Sequence, residues 1–134
     1  MMSGITPYGH LYTLTRDYPL TSWESVVFLC HLRRLIGTDL LAIWDGSPIH
    51  RGADMKSFLA QGGTQFVRLE QLPSYAPDLN PDEFVWQHLK HVELGNLCCD
   101  DLIHLSSEVK LAVNRLRRKP TLIQSFFDGA GLAL

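Results

Sequence analysis

Nowhere in the 134 residues does an apolar run approach the roughly 20 needed to cross a bilayer, so a membrane-spanning helix is not expected. The opening residues, MMSGITPYGH, lack the basic start and apolar stretch of a secretory signal, and a cytoplasmic protein is the expectation. A basic surplus is missing too. Twelve Lys and Arg stand against fourteen Asp and Glu, for a net charge of −2. A protein that grips DNA unaided usually carries excess positive charge, so if this one meets DNA, another domain or chain does most of the holding. Cysteine is sparse: Cys30, Cys98 and Cys99. An odd number with two adjacent is a poor disulfide framework and fits a reducing compartment. Joining Cys98 and Cys99 to His91 and His104 in a zinc site matches no Cys-x₂-Cys spacing, which leaves buried apolar thiols as the plainer reading. No G-x-G-x-x-G or Walker loop is present, so a nucleotide-binding domain ranks last among α/β functions.

What is present is a globular composition, 46% hydrophobic and long enough for one domain with one core over 1–134. Residues 3–8 and 10–16 read as a hairpin, with Pro7 and Gly9 at the turn and His10 to Thr15 alternating at the strand period. Thr21 and Glu24 form a capping-box pair ahead of a helix over 22–36, with Trp23, Val26, Val27 and Cys30 at helical spacing and Gly37 as its stop. The continuous apolar run within Asp39–Asp45 reads as a strand buried on both faces. A short helix over 50–61 and a strand over 65–70 follow, so strand, helix and strand imply a parallel crossover. Three prolines then mark a long loop from Leu72. Asn80 is an N-cap and Pro81 a first helical residue, and Val85, Leu89 and Val92 give that helix its core stripe. Asp100 or Asp101 caps a further helix carrying Leu105, Val109, Ala112, Val113 and Leu116. Pro120 stops it, and a last helix covers about 121–128. No internal repeat or linker interrupts this α/β unit, whose helices are weighted toward the C-terminus.

Two carboxylates stand out. Asp45 closes the apolar strand, and ligands of open α/β sheets gather beyond the carboxyl ends of their strands. Asp before Gly is equally a turn signal. Glu83 sits in the first turn of the helix after Asn80, where it can bind a cation or simply close a capping box on the Asn80 N–H. Asp82 competes for both roles. Two acids presented by a strand end and a helix start suit divalent-metal phosphoryl transfer.

The order of these residues carries more. WDGSPIHR at 44–51 followed by LPSYAPDLNPDEFVWQHLK at 72–90 resembles the catalytic domain of bacterial insertion-sequence transposases of the Tc/mariner superfamily, which bear a DDE triad on a ribonuclease H-like fold. Pro73, Tyr75, Pro77, Leu79, Asn80, Pro81, Glu83 and Trp86 stand in the register of that family's motif around the third acid. Ala76 replaces the usual serine, and Asp82 stands where an apolar residue is frequent. Thirty-seven residues separate Asp45 from Glu83, near the family spacing. The resemblance implies a ribonuclease H-like mixed sheet, with Asp45 and Glu83 as catalytic metal ligands for two Mg²⁺ or Mn²⁺ ions. The implied activity is DNA cleavage and strand transfer in transposition. It also implies a first aspartate on a strand ahead of the hairpin at 3–16, for which this sequence has no counterpart. Asp17 and Asp39 are poorly placed substitutes. The fold is therefore expected to lack its first central strand. Two exposed strand edges would then face a gap of nearly 10 Å, to be met by non-standard pairing or a strand from another chain.

Further residues have two readings each. His50 is an accessory site residue or an early-helix surface histidine. Arg115, Arg117, Arg118 and Lys119 offset a helix dipole or touch DNA. Tyr75 packs among prolines or touches DNA. Trp23, Trp44 and Trp86 read as core. The expected protein is a transposase-derived DDE catalytic domain, incomplete as this chain alone in the sense that two carboxylates hold the ions poorly. Its expected partners are DNA and a second transposase chain or a copy of itself. The rival reading is a non-catalytic module for dimerisation or for binding DNA or transposase.

Overall fold

The computed structural model describes residues 1–45, 47, 50–73, 77–95 and 98–132. Among these are four strands and five α-helices: β1 (Met2–Ile5), β2 (Leu11–Leu14), α1 (Ser22–Ile36), β3 (Leu40–Trp44), α2 (Ala53–Ala60), β4 (Val67–Gln71), α3 (Pro81–His88), α4 (Leu102–Arg117) and α5 (Pro120–Gly129). No helix among the described residues is long and apolar enough to cross a membrane. The chain divides into two compact units, Met1–Met2 with Thr13–Ala76 and Ser3–Tyr12 with Pro77–Leu134.

In the first unit, α1 begins where its capping box places it. The Thr21 N–H donates to Glu24 Oε2 at 2.8 Å, and the Thr21 hydroxyl donates to the same oxygen. These bonds hold the Glu24 carboxyl below its ordinary pKa. The helix ends on Gly37 at φ 82°, a left-handed conformation that side chains resist, with its N–H on the Arg33 carbonyl. The buried face differs from the expected one. Trp23 is 57% exposed and Cys30 is exposed, while Ser22, Ser25, Val26 and Leu29 turn inward at the i, i+3, i+4, i+7 spacing. Rotating the helix this way brings Val26 and Leu29 against Met55 and Val67, the centre of this unit's core.

The strands β3 and β4 pair in parallel, with Leu40 opposite Val67 and Trp44 opposite Gln71. A parallel pair cannot be closed by a tight hairpin, and α2 supplies the crossover. The strand β4 starts later than expected. Phe66 precedes it, and the Arg33 guanidinium lies 4.1 Å from the centre of that ring. Only one face of β3 joins the core, through Leu40, Ala42 and Trp44. The expectation of burial on both faces is corrected here: Leu41 is 61% and Ile43 51% exposed. An unbroken apolar run signals a doubly covered strand only if a layer exists on each side, and among the described residues nothing buries the far face. The two sheets, β1–β2 and β3–β4, are two-stranded, and no ladder joins them into one mixed sheet among the described residues. The five-residue link from β1 to β2 is too short for a parallel pair, so they form the expected hairpin.

In the second unit, Val85, Leu89, Ala112, Val113, Leu116, Ile123 and Phe126 are buried. Packing of α3 on α5 sets the Phe84 and Phe126 rings 6.0 Å apart. After His88 the chain widens into a π-helical turn, Leu89–Glu93. The extra residue in that turn rotates Val92 out of the stripe expected from Val85 and Leu89, to 67% exposure. Asp101 caps α4, its Oδ1 accepting the His104 N–H at 2.7 Å. The stripe of α4 is buried over its C-terminal half, and Leu105 is exposed. Gly9, at φ 88°, lies so close to Pro120 that a Cβ there would overlap the Pro120 carbonyl. Trp86 is also exposed, so two of the three tryptophans lie outside the cores assigned to them.

Chemical denaturation checks the one-sided burial of β3. Met55→Ala is expected to cost about 2–5 kcal/mol. Ile43→Ala is expected to cost less than about 1 kcal/mol, because its side chain already meets solvent. Equal losses would contradict the exposure of that face.

Candidate active site

Asp45 is the residue directly beyond β3, and the ladder reaches one step further there, with the Leu72 N–H on the Trp44 carbonyl at 2.8 Å. Its Oδ1 accepts the Ser47 N–H at 3.0 Å, an Asx turn. The turn reading is thus realised, yet it occupies one carboxylate oxygen, and no hydrogen bond reaches Oδ2 among the described residues. The same Oδ1 faces His50 Nε2 at 3.6 Å, an electrostatic contact longer than a hydrogen bond.

His50 is held on its other sides. Its ring stacks on Trp44, centroids 4.3 Å apart and planes 10° from parallel. Its Nδ1 lies 3.2 Å from the hydroxyl of Ser25. Burial pushes the imidazole pKa below its ordinary value, and the Asp45 charge opposes that without reversing it. The surface-histidine reading does not describe this ring. Ser25, which is buried, was not among the sequence candidates. No local signal marked it, since two of the four inward residues, Ser22 and Ser25, are serines.

Glu83 belongs to the second unit and is the third residue of α3. Asn80 caps this helix, its Oδ1 accepting the Asp82 N–H at 3.1 Å, and the Glu83 N–H donates to the Asn80 carbonyl at 3.0 Å. The Glu83 carboxylate does not reach back to close a capping box. Among the described residues no hydrogen bond or ion pair engages it. Asp82 is used differently, accepting the Ser3 hydroxyl at 2.7 Å and so tying β1 to the start of α3. Tyr75 lies outside the described residues.

The C-terminal basic residues act on their own unit. The carboxylate of Glu93, whose side chain is 9% exposed, receives Arg115 Nε at 2.7 Å, His88 Nε2 at 3.2 Å and Lys119 Nζ at 3.4 Å. Arg115, then His88 and Lys119, hold its pKa below the ordinary glutamate value against the opposing effect of burial. Arg117 donates from Nε to the Leu11 carbonyl at 3.0 Å and from Nη1 to Asn114 at 3.1 Å, while Arg118 is exposed at the end of α4. Glu93 was not legible as a hub, because the π turn that carries it has no local signature.

Oxygen donors such as Asp45 and Glu83 suit Mg²⁺ or Mn²⁺. Among the described residues no group of three or more His, Cys, Asp or Glu side chains is placed to hold a metal. Donor chemistry therefore fits a hard divalent cation, and donor number falls short. The zinc alternative gains nothing: Cys98 is exposed, and His104 Nε2 faces Glu108 at 3.6 Å. The cysteines expected to be buried are corrected as well, since Cys30 is also exposed.

The depressed pKa of Glu93 gives a stability term with a definite sign. It is complete above the ordinary glutamate value, roughly 4.3, and is lost as pH falls through the lower folded-state value. Glu93→Gln is expected to destabilise the protein by about 1–3 kcal/mol at neutral pH. The gap from wild type should shrink below roughly pH 4. Thermal unfolding across pH checks this, and a gap that stays constant into acid would contradict it.

A family model described as DDE superfamily endonuclease matches residues 1–103, a span that contains Asp45, His50, Asp82 and Glu83. No curated protein and no solved structure matches the chain. Domains of this family act on DNA and generally use divalent metal ions. With most of its length matched, the chain belongs to the DDE superfamily endonucleases and is a transposase-type domain.

Proposed function

We propose that this chain is the greater part of a ribonuclease H-like transposase catalytic domain of the Tc/mariner insertion-sequence type, and that it acts in DNA cleavage and strand transfer. The two compact units are read as parts of a single domain. Asp45 and Glu83 are its catalytic carboxylates and would hold Mg²⁺ or Mn²⁺. The observation that carries this reading is the state of Glu83: an acid inside the family-matched span, at a helix start whose capping duty falls to Asn80. When bound, the cations would supply charge at the attacking and leaving oxygens of a phosphodiester. This chain's residues would do the rest. Asp45 is held on one oxygen by the Ser47 N–H and faced on the same oxygen by His50. Glu83 sits in the first turn of α3, with its N–H on the Asn80 carbonyl.

Two carboxylates are one short of a DDE triad. The third is proposed to come from a strand outside this sequence, on a longer chain or on another one, and the polypeptide alone is proposed to be weakly active or inert. DNA is the proposed partner, with self-association or pairing with a second transposase chain, in the cytoplasm of a bacterium. Of the basic residues at the end of α4, Arg118 is exposed and is proposed to meet a DNA phosphate, and Tyr75 is kept as a proposed DNA contact from the sequence motif.

A second reading has its own support. The open face of β3, with Leu41 and Ile43 exposed, suits a non-catalytic module that packs a copy of itself on that face, and the edges of the two-stranded β3–β4 sheet suit addition of a strand.

Calorimetry with Mn²⁺ separates the readings. The catalytic one expects binding that weakens about tenfold or more in Asp45→Ala and in Glu83→Ala. Unchanged binding in both variants contradicts it, and self-association retained by Glu83→Ala without any metal binding favours the second reading. Nicking of duplex DNA in Mn²⁺ is expected to be weak, and robust cleavage abolished by Asp45→Ala would overturn the proposed incompleteness.

A further inference from the structure

We infer that Trp44 is a positioning residue: its indole, rooted in the core of the first unit, holds the imidazole of His50 face to face and so sets that imidazole against the Asp45 carboxylate. Trp44 is the last residue of β3 and packs with Leu40 and Ala42 against the buried cluster of Val26, Leu29, Met55 and Val67. Its backbone is held as well, in register with Gln71 and with its carbonyl on the Leu72 N–H. The Trp44 and His50 rings lie 4.3 Å apart, centre to centre, and 10° from parallel. One face of the indole is therefore already covered, which argues against a free platform for a base.

Neighbours along a strand point to opposite faces. Trp44 and Asp45 nevertheless meet the same ring, because the Asx turn at Asp45 and Ser47 follows directly on the strand. The backbone of His50 is tied to that turn, its N–H on the Ser47 carbonyl at 3.0 Å. With the backbone held, two side-chain torsions decide where the ring nitrogens point. A flat stack on a rooted indole fixes the plane of the ring, whichever nitrogen carries the proton. One edge then brings Nε2 to 3.6 Å from Asp45 Oδ1, and the other brings Nδ1 to 3.2 Å from the Ser25 hydroxyl. Groups behind a ligand orient it and tune its metal. Trp44 stands one step further back and acts on Asp45 only through His50. The consequence for metal rests on the catalytic reading of Asp45 given above, whereas the stack and its hold on His50 do not.

The test is magnetic resonance of the metal-free full chain at pH 8, with the His50 signals assigned by His50→Ala. The ring protons of His50 are expected to be displaced upfield by the indole. In Trp44→Leu they are expected to return to the position of an unstacked histidine, and Trp44→Phe, which keeps a ring, is expected to preserve part of the displacement. The ¹³C signal of the Asp45 carboxyl is expected to move in Trp44→Leu as it moves in His50→Ala, and to move no further in the double variant. Undisplaced His50 signals in the wild type overturn the inference, as does an Asp45 signal unchanged in a folded Trp44→Leu protein. If leucine unfolds the chain, Trp44→Met, nearer in length and still without a ring, takes its place under the same criteria. Mn²⁺ affinity, read by calorimetry, is expected to fall about tenfold in His50→Ala, by a similar factor in Trp44→Leu, and no further in the double variant. Losses that add in the double variant overturn the inference, since Trp44 would then act on the fold and not through His50. A wild-type protein that shows the stack and the coupled Asp45 signal yet takes up no Mn²⁺ contradicts the catalytic reading while supporting the positioning role.

Discussion

The parallel ladder between β3 and β4 is the constraint on which the candidate site depends. Its register, Leu40 with Val67 through Trp44 with Gln71, sets where β3 ends and therefore where Asp45 stands. A parallel pair demands a crossover, and α2 provides it while delivering Met55 to the core. The same crossover brings the chain through His50, whose ring closes over Trp44, the last residue of the strand. Core, strand end and site are thus consecutive consequences of one pairing. The inner face of β3 is anchored in apolar contacts, and its last side chain, Trp44, stacks on His50.

The two carboxylates are supported in different ways. Asp45 accepts a backbone N–H and faces an imidazole at 3.6 Å, and that imidazole lies against a stacked indole and a buried hydroxyl. Glu83 is placed by helix geometry, with Asn80 relieving it of capping. Asp82, its neighbour, is tied to Ser3 and serves the fold. Adjacent acids with separate tasks are what the sequence pattern alone could not resolve, since both fit the N-terminal turn of a helix equally well.

Local chemistry was legible where it is self-contained. The Thr21–Glu24 box, the Gly37 stop, the Asn80-Pro81 start and the Asp101 cap are each written within four residues, and the structure has them where the sequence places them. The parallel crossover followed from strand, helix and strand in order. What depends on distant partners was not legible. The run Leu40 to Trp44 looks doubly buried by composition, but burial is decided by which layers exist. Val92 leaves its stripe because of a π turn with no sequence signature. The basic residues at the end of α4 read as offsetting a helix dipole or touching DNA, yet Arg115 and Lys119 converge on Glu93, more than twenty residues earlier, and Arg117 reaches the hairpin at Leu11. Ser25 was missed for a related reason: a serine in a helix is ordinary until something polar is found opposite it.

Membership of the DDE superfamily endonucleases gives these observations a common purpose, and the assignment of Asp45 and Glu83 as joint ligands of a divalent cation is the claim on which the functional account turns. Paramagnetic broadening by substoichiometric Mn²⁺ in the amide spectrum of the full chain tests it most directly. The account expects the amides around Asp45 and those around Glu83 to broaden together, at the same Mn²⁺ concentration, and to recover together when Mg²⁺ is added. Broadening confined to one of the two segments, or spread over unrelated surface acids, would contradict it.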